Sequence, residues 1–249
     1  VYKRQIIAVT AAAGMGGTGL GGLAAYLFRR GTDRTVSVLL SFAAGMMLAV
    51  VCADLLTDAI QAGPGLSALP AASASVLAGC GGIWLLEELV SGLQAGAKRG
   101  GLFLAGVVMA AAIALHNLPE GMVIGASYAA DLAEAGEDGR MMALVIGLHN
   151  IPEGMAVAVP LAAGGASRGR AVLTTAAAGA PTVLGAVLGF CLGTMGPGLQ
   201  MLTLGGASGA MLYVVFGELL PESFRLCRSP APVMAAVLGV LTGMGVVLG

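Results

Sequence analysis

Eight apolar stretches, each long enough to cross a bilayer, follow one another along this chain with only short polar breaks between them. A helix rises 1.5 Å per residue, so a hydrocarbon core of ~30 Å takes about 20 such residues. The stretches read as residues 5–28, 36–60, 70–95, 102–129, 141–164, 171–195, 199–222 and 231–249. The breaks fall at Arg29–Arg34, Gly63–Gly65, Lys98–Gly101, Asp131–Arg140, Gly165–Arg170, Gly196–Gly198 and Arg225–Pro232. A membrane β-barrel would alternate over segments of about 10 residues, and these runs do not alternate. Composition agrees, with 10% charged residues against about 25% in an average soluble chain. The predicted fold is all-α, a polytopic membrane protein with eight transmembrane helices. Little sequence is left for an aqueous domain, so residues 1–249 read as a single transmembrane domain.

The net charge of −1 gives no electrostatic case for nucleic acid. Cys52, Cys80, Cys191 and Cys227 are scattered and form no CxxC, which argues against a disulfide framework or a thiolate zinc site. The chain opens on Val1 rather than Met, so further residues are expected before it. Lys3 and Arg4 mimic the start of a signal peptide, but the following apolar run reaches Phe28 and is needed as a span. Helix 1 carries Gly14, Gly16, Gly17, Gly19, Gly21 and Gly22, small residues that allow close helix–helix approach.

Carboxylates inside these spans are costly, on the order of 2.5–3.5 kcal/mol each for an ionised group at a helix centre. The chain nevertheless places Asp54 and Asp58 in helix 2, Glu87 and Glu88 in helix 3, Glu120 in helix 4, Glu153 in helix 5, and Glu218 and Glu222 in helix 7. No lysine or arginine lies mid-span to pair with them. A mobile cation is the natural partner. The loop between helices 4 and 5 holds Asp131, Glu134, Glu137 and Asp138, which reads as a solvated loop or, more sharply, as a cation-attracting surface.

The most specific signal is a repeat. Leu115-His116-Asn117-Leu118-Pro119-Glu120-Gly121-Met122 in helix 4 matches Leu148-His149-Asn150-Ile151-Pro152-Glu153-Gly154-Met155 in helix 5 at seven of eight positions. Both histidines of the protein lie in it. His and Glu at i and i+4 share a helix face, and Asn lies three residues before Glu. His116, Asn117, Glu120, His149, Asn150 and Glu153 can therefore present nitrogen and oxygen donors together. Pro119 and Pro152 each remove a backbone N–H, freeing carbonyls near Leu115 and Leu148. Helices joined by a short loop run antiparallel, so the two motifs face each other about a local pseudo-two-fold. Imidazole with carboxylate and amide oxygen suits Zn²⁺, Fe²⁺, Mn²⁺, Co²⁺, Ni²⁺ or Cd²⁺ better than Mg²⁺ or Ca²⁺.

Paired HNLPEG and HNIPEG in consecutive helices of an eight-helix chain resemble the ZIP family (Zrt-/Irt-like metal transporters), in its prokaryotic branch. The resemblance covers the whole chain. It implies transport of divalent metal toward the cytoplasm, zinc foremost, by an elevator-like movement. It also implies a homodimer in the prokaryotic inner membrane, a binuclear site between helices 4 and 5, and no prosthetic group. By position, His116, Asn117, Glu120, His149, Asn150 and Glu153 match that site. Ala44-Gly45-Met46-Met47 resembles the family stretch that supplies a thioether, through Met47. Asp54 falls toward the outer entrance. Gly217–Glu222 resembles a segment near the inner exit, which brings Glu218 and Glu222 into the transport pathway.

One departure stands out. The family carries a glutamate in helix 6; here Gly179-Ala180-Pro181-Thr182-Val183-Leu184-Gly185 puts Thr182 in its place. Two divalent ions would bring +4 against two shared glutamates, so the charge count favours one ion near His116, Glu120, His149 and Glu153. The loop between helices 3 and 4 is short and has no histidine cluster. The alternative functions are an intramembrane zinc hydrolase and a non-transporting metal sensor. Against a protease, the residue after each His is Asn rather than the Glu base of HExxH.

Basic residues favour the cytoplasm. Nine of the twelve flank loops 1, 3, 5 and 7, while only Lys3, Arg4 and Arg140 lie on the other side. Both termini are therefore expected outside. In a cysteine-free background, a membrane-impermeant thiol reagent applied to intact cells is expected to label Gly198→Cys and not Ser229→Cys. The reverse pattern would invert the orientation.

Overall fold

The computed structural model describes residues 2–27, 33–63, 68–97, 101–134 and 138–248. Arg29, Arg30, Lys98 and Arg99 of the orientation argument lie outside the described residues, as does Glu137. The side chains of Glu87 and Glu134 also lie outside the described part of the structure. Among the described residues every regular element is helical, and each apolar stretch becomes one helix except the sixth, which is broken in two. Helix α1 runs Tyr2–Ala11, passes a π-helical turn at Ala12–Gly16 and continues Gly17–Leu27. Helix α2 runs Asp33–Val50, then a π turn at Val51–Leu55, then Leu56–Ala62. Helices α3, α4 and α5 are Leu69–Ala97, Gly101–Glu134 and Asp138–Ala163. Helix α6 is split into Arg168–Ala178 and Pro181–Gly193. Helix α7 runs Pro197–Val214, a π turn at Val215–Leu219, and Leu220–Leu226; α8 is Pro230–Leu248.

This is an all-α polytopic membrane protein. Arg4–Ala25, Asp33–Ala62, Asp138–Ala162, Arg168–Gly193 and Pro197–Leu226 are each long and apolar enough to cross a bilayer. Polarity is distributed accordingly. Leu77, Leu173 and Leu184 are exposed on the outside of the bundle, while His116, Asn117, Glu120, His149, Asn150 and Glu153 are buried within it. Such an arrangement suits a lipid surround, which solvates leucine but not carboxylate.

Local chemistry sets the helix ends. Ser167 precedes α6, and its hydroxyl accepts from the Arg170 N–H at 3.4 Å. Pro181 and Pro197 open helical segments at positions where a missing N–H costs little. The loop between α4 and α5 is shorter than the sequence suggests, because α4 reaches Glu134 and α5 starts at Asp138. Asp131 is the reason. It is buried, and its carboxylate accepts from the N–H groups of Asp138 and Gly139 at 2.9 and 3.0 Å. One member of that acidic loop is thus a cap for the start of α5 rather than a solvated charge.

Packing follows the glycines. Helix α4 packs most extensively on α6 and α5, α1 on α5 and α6, α2 on α8, and α3 on α7. Contacts of α7 with α4 and of α2 with α5 join these groups. The α4–α6 seam needs two bare backbones: a Cβ at Gly121 would collide with the Thr182 carbonyl, and one at Gly185 with the Leu118 carbonyl. Overpacking of this kind costs about 1–3 kcal/mol. Gly185→Ala is expected to lower the thermal midpoint of the purified protein by several degrees. Gly82→Ala, where a Cβ would meet nothing within 4 Å, is expected to leave it unchanged or raise it. Equal midpoints for the two variants would refute the close-approach account.

Candidate metal centre

Both copies of the motif sit inside unbroken helix. Pro119 lies within α4 and Pro152 within α5, so each motif keeps its helical spacing, with His one turn before Glu and Asn three residues before it. The side chains of Glu120, His149 and Glu153 converge: one ligand atom from each lies within 4.8 Å of the others. His149 Nε2 stands 3.1 Å from Glu120 Oε1, across the α4–α5 seam. When Nε2 carries its hydrogen it donates to that carboxylate; without it, it offers a lone pair.

The electrostatics of this trio are severe. Glu120 and Glu153 are wholly buried. Glu120 Oε2, both oxygens of Glu153, His149 Nδ1 and Asn150 Oδ1 have no hydrogen-bond partner. Leaving a buried polar group unsatisfied costs about 1–3 kcal/mol, and more where it is charged. Among the described buried residues none is lysine or arginine. The donors form a nitrogen-and-oxygen set, which is the chemistry a borderline divalent cation accepts.

The motif's two asparagines face away from solvent into backbone. Asn117 Nδ2 donates to the carbonyls of Ile113 and Ala178 at 2.9 and 3.2 Å. Asn150 Nδ2 donates to the Ala13 carbonyl, in the π turn of α1, at 3.3 Å and to Asn117 Oδ1 at 3.4 Å. Thr182 donates to Asn117 Oδ1 at 2.9 Å.

His116 departs from its sequence twin. The repeat alone would set it beside the trio, but its Nε2 lies 2.8 Å from Glu218 Oε1. Glu218 sits in the π turn of α7, and a π turn carries one extra residue that re-aims its side chains. Asp54 occupies the equivalent feature of α2 and is half-buried. Met47 is buried in α2 and belongs to the main hydrophobic core. Glu222 is not brought to the centre: it forms a bidentate pair with Arg225 at 2.5 and 2.7 Å, near the end of α7. Glu88 is exposed. Asp58 lines a cavity of about 680 Å³ with Gln61, Asp138, Thr194 and Gln200, between the ends of α2, α4, α5, α6 and α7. Nothing in the sequence points directly to the His116–Glu218 contact, whose members lie 102 residues apart. The four cysteines are free.

A buried His/Glu cluster at the seam of two membrane helices defines an intramembrane cation-binding protein. The comparisons agree with that class. The family described as ZIP zinc transporter matches residues 93–249. "Zinc transporter ZupT" of Corynebacterium efficiens is 32% identical over 92% of this chain and 90% of its own length. "Zinc transporter ZIPB" of Bordetella bronchiseptica is 35% identical over 95% of this chain and 77% of its own. "Zinc transporter ZupT" of Chlorobium limicola is 32% identical over 96% and 94%. The chain belongs to the ZIP family.

The α4–α7 contact is directly testable. In a cysteine-free background, His116→Cys with Glu218→Cys is expected to be joined in membranes by a short bifunctional methanethiosulfonate reagent, which spans the gap left when imidazole and carboxylate are both shortened to thiols. Tryptic fragments should then migrate as one species until reduced. Absence of cross-linking in folded protein would show that α4 and α7 do not meet at these residues.

Proposed function

We propose that this chain carries divalent transition-metal cations, zinc foremost, across the membrane toward the cytoplasm without a prosthetic group. The observation that carries the reading is the convergence of Glu120, His149 and Glu153 with buried oxygens that lack a partner. Two carboxylates and an imidazole neutralise and ligate a divalent ion where no basic side chain competes. The names of the relatives, all zinc transporters, support zinc over the other borderline ions.

The route we propose enters at the acidic cavity lined by Asp58 and Asp138 and passes Asp54 and Met47 on α2. Its centre uses Glu120, His149 and Glu153, with His116, Asn117 and Asn150 as the motif's remaining members. It leaves by Glu218 and then Glu222 on α7. Release toward the cytoplasm follows from both termini lying outside, the orientation favoured by the basic loops. The family resemblance adds a homodimer as the working unit, an elevator-like movement and a prokaryotic inner membrane. The cluster sits in a seam between helices that must separate or slide for an ion to pass, which suits a carrier. A hydrolase would instead need an open water position and a base beside the ligands. No HExxH is present to supply one.

Glu120 touches His149 directly, and its loss removes half of the trio's negative charge. Interactions to a charged group are worth roughly 1.5–3 kcal/mol, and each 1.4 kcal/mol is about tenfold. Glu120→Ala in liposomes is therefore expected to take up ⁶⁵Zn²⁺ about tenfold to a hundredfold more slowly than the parent. Near-parental uptake by the folded variant would sink the site.

A further inference from the structure

We propose that Thr182 fixes the number of ions held between α4 and α5 at one, by closing the asparagine side of the centre with a neutral hydrogen-bond lock. The inference rests on the metal reading of Glu120, His149 and Glu153, and extends it to residues that do not touch the ion.

Asn117 has no spare valence. Its two N–H groups go to Ile113 and Ala178, and the two lone pairs of its oxygen take the Thr182 hydroxyl and the Asn150 amide. The amide cannot turn over. Rotation would set Oδ1 against the Ile113 and Ala178 carbonyls, acceptor facing acceptor. The Asn117 oxygen is therefore held on the Thr182 hydroxyl hydrogen. Asn150 differs, since its Oδ1 has no partner.

The surroundings keep Thr182 in place. It is wholly buried in the first turn after the break of α6, just behind Pro181. A Cβ at Gly14 would collide with its hydroxyl, and one at Gly121 with its carbonyl. Backbone from α1, α4 and α6 thus closes on this residue. The Asn117–Thr182 lock is uncharged throughout, so it supplies nothing to offset a second dication.

Charge points the same way. Glu120 and Glu153 provide −2, which one divalent ion balances. A second ion on the asparagine side would add +2 in a low-dielectric site with only hydroxyl and amide groups beside it. A carboxylate in place of Thr182 would reverse this: it would face the Asn117 oxygen, and a cation between them would relieve the repulsion.

The test is zinc content per chain after equilibrium dialysis of purified protein, read with zinc-edge X-ray absorption. A bridged pair shows a metal–metal vector at about 4 Å. The parent and Thr182→Ser are expected to hold one ion at the α4–α5 centre and to show no such vector. Thr182→Glu, or the smaller Thr182→Asp should the longer side chain not fold, is expected to gain a second ion and the vector. A metal–metal vector in the parent would overturn the inference. So would folded Thr182→Glu and Thr182→Asp proteins that both stay at one ion. Failure of the underlying site looks different: the parent would then bind no zinc that Glu120→Ala removes, and both readings would fall together.

Discussion

Two glutamates buried side by side in an apolar bundle set the terms for the rest of the molecule. Glu120 and Glu153 are both wholly enclosed, and like charges in a low dielectric repel strongly. A fold that retains them must supply a proton, a cation or a set of donors. The described structure supplies one imidazole, His149, at 3.1 Å from Glu120. It gives Glu153 no hydrogen bond at either oxygen. Packing alone gives no reason to keep such a group, since replacing it with an apolar side chain would remove the cost. The duplication of the motif makes the same argument twice within one chain.

The remaining helices hold that seam without filling it. Three of them do so through π turns, at Ala12–Gly16, Val51–Leu55 and Val215–Leu219. Each such turn lengthens the backbone ring by one residue and lets a carbonyl or side chain leave the ordinary helical direction. In α1 the result is a carbonyl, Ala13, that accepts from Asn150. In α7 it is a carboxylate, Glu218, that reaches His116. In α2 the same device carries Asp54. The start of α2 is fastened to the end of α7 separately: Ser37, Ser41 and Ser223 are buried together, with Ser41 and Ser223 hydroxyls 2.6 Å apart. Polar groups are thus spent on fixing helices to one another, and the two glutamates are exempt from that use.

Much of this was legible before any coordinates. Lipid length sets the spans, and the repeat is too polar and too regular to be packing, so the helices are legible directly, as is the convergence of Glu120, His149 and Glu153; the different settings of His116 and the two asparagines are not. What escaped was whatever depends on a shift of one residue or on a partner far along the chain. A π turn leaves the apolar pattern intact over the rest of its helix, so α1, α2 and α7 read as uninterrupted. The split of α6 is written in Gly179-Ala180-Pro181, but these residues sit within an apolar run that reads through them. In sequence Asp131 reads with its acidic neighbours, because composition cannot tell a cap from a solvated charge; only its bonds to Asp138 and Gly139 distinguish it. The boundaries of α4 and α7 moved outward for a related reason. A helix continues past the apolar stretch while its last turns find partners, as Glu222 does in Arg225.

The two motifs are near-identical in sequence and unequal in setting, and the inequality has a direction. On the side of α1 and α6, the asparagines are closed off by Ala13, Ala178 and Thr182 through uncharged hydrogen bonds. On the side of α7, His116 faces a carboxylate whose side chain is 25% exposed. A cation leaving the centre would meet no compensating charge in the first direction and would meet Glu218 in the second. Moving a dication through low dielectric is feasible only where a fixed negative charge replaces each one left behind. Sequence symmetry would permit either path; the surrounding helices place a carboxylate, Glu218, on one of them only, and on the proposed transport reading that is the side by which an ion would leave.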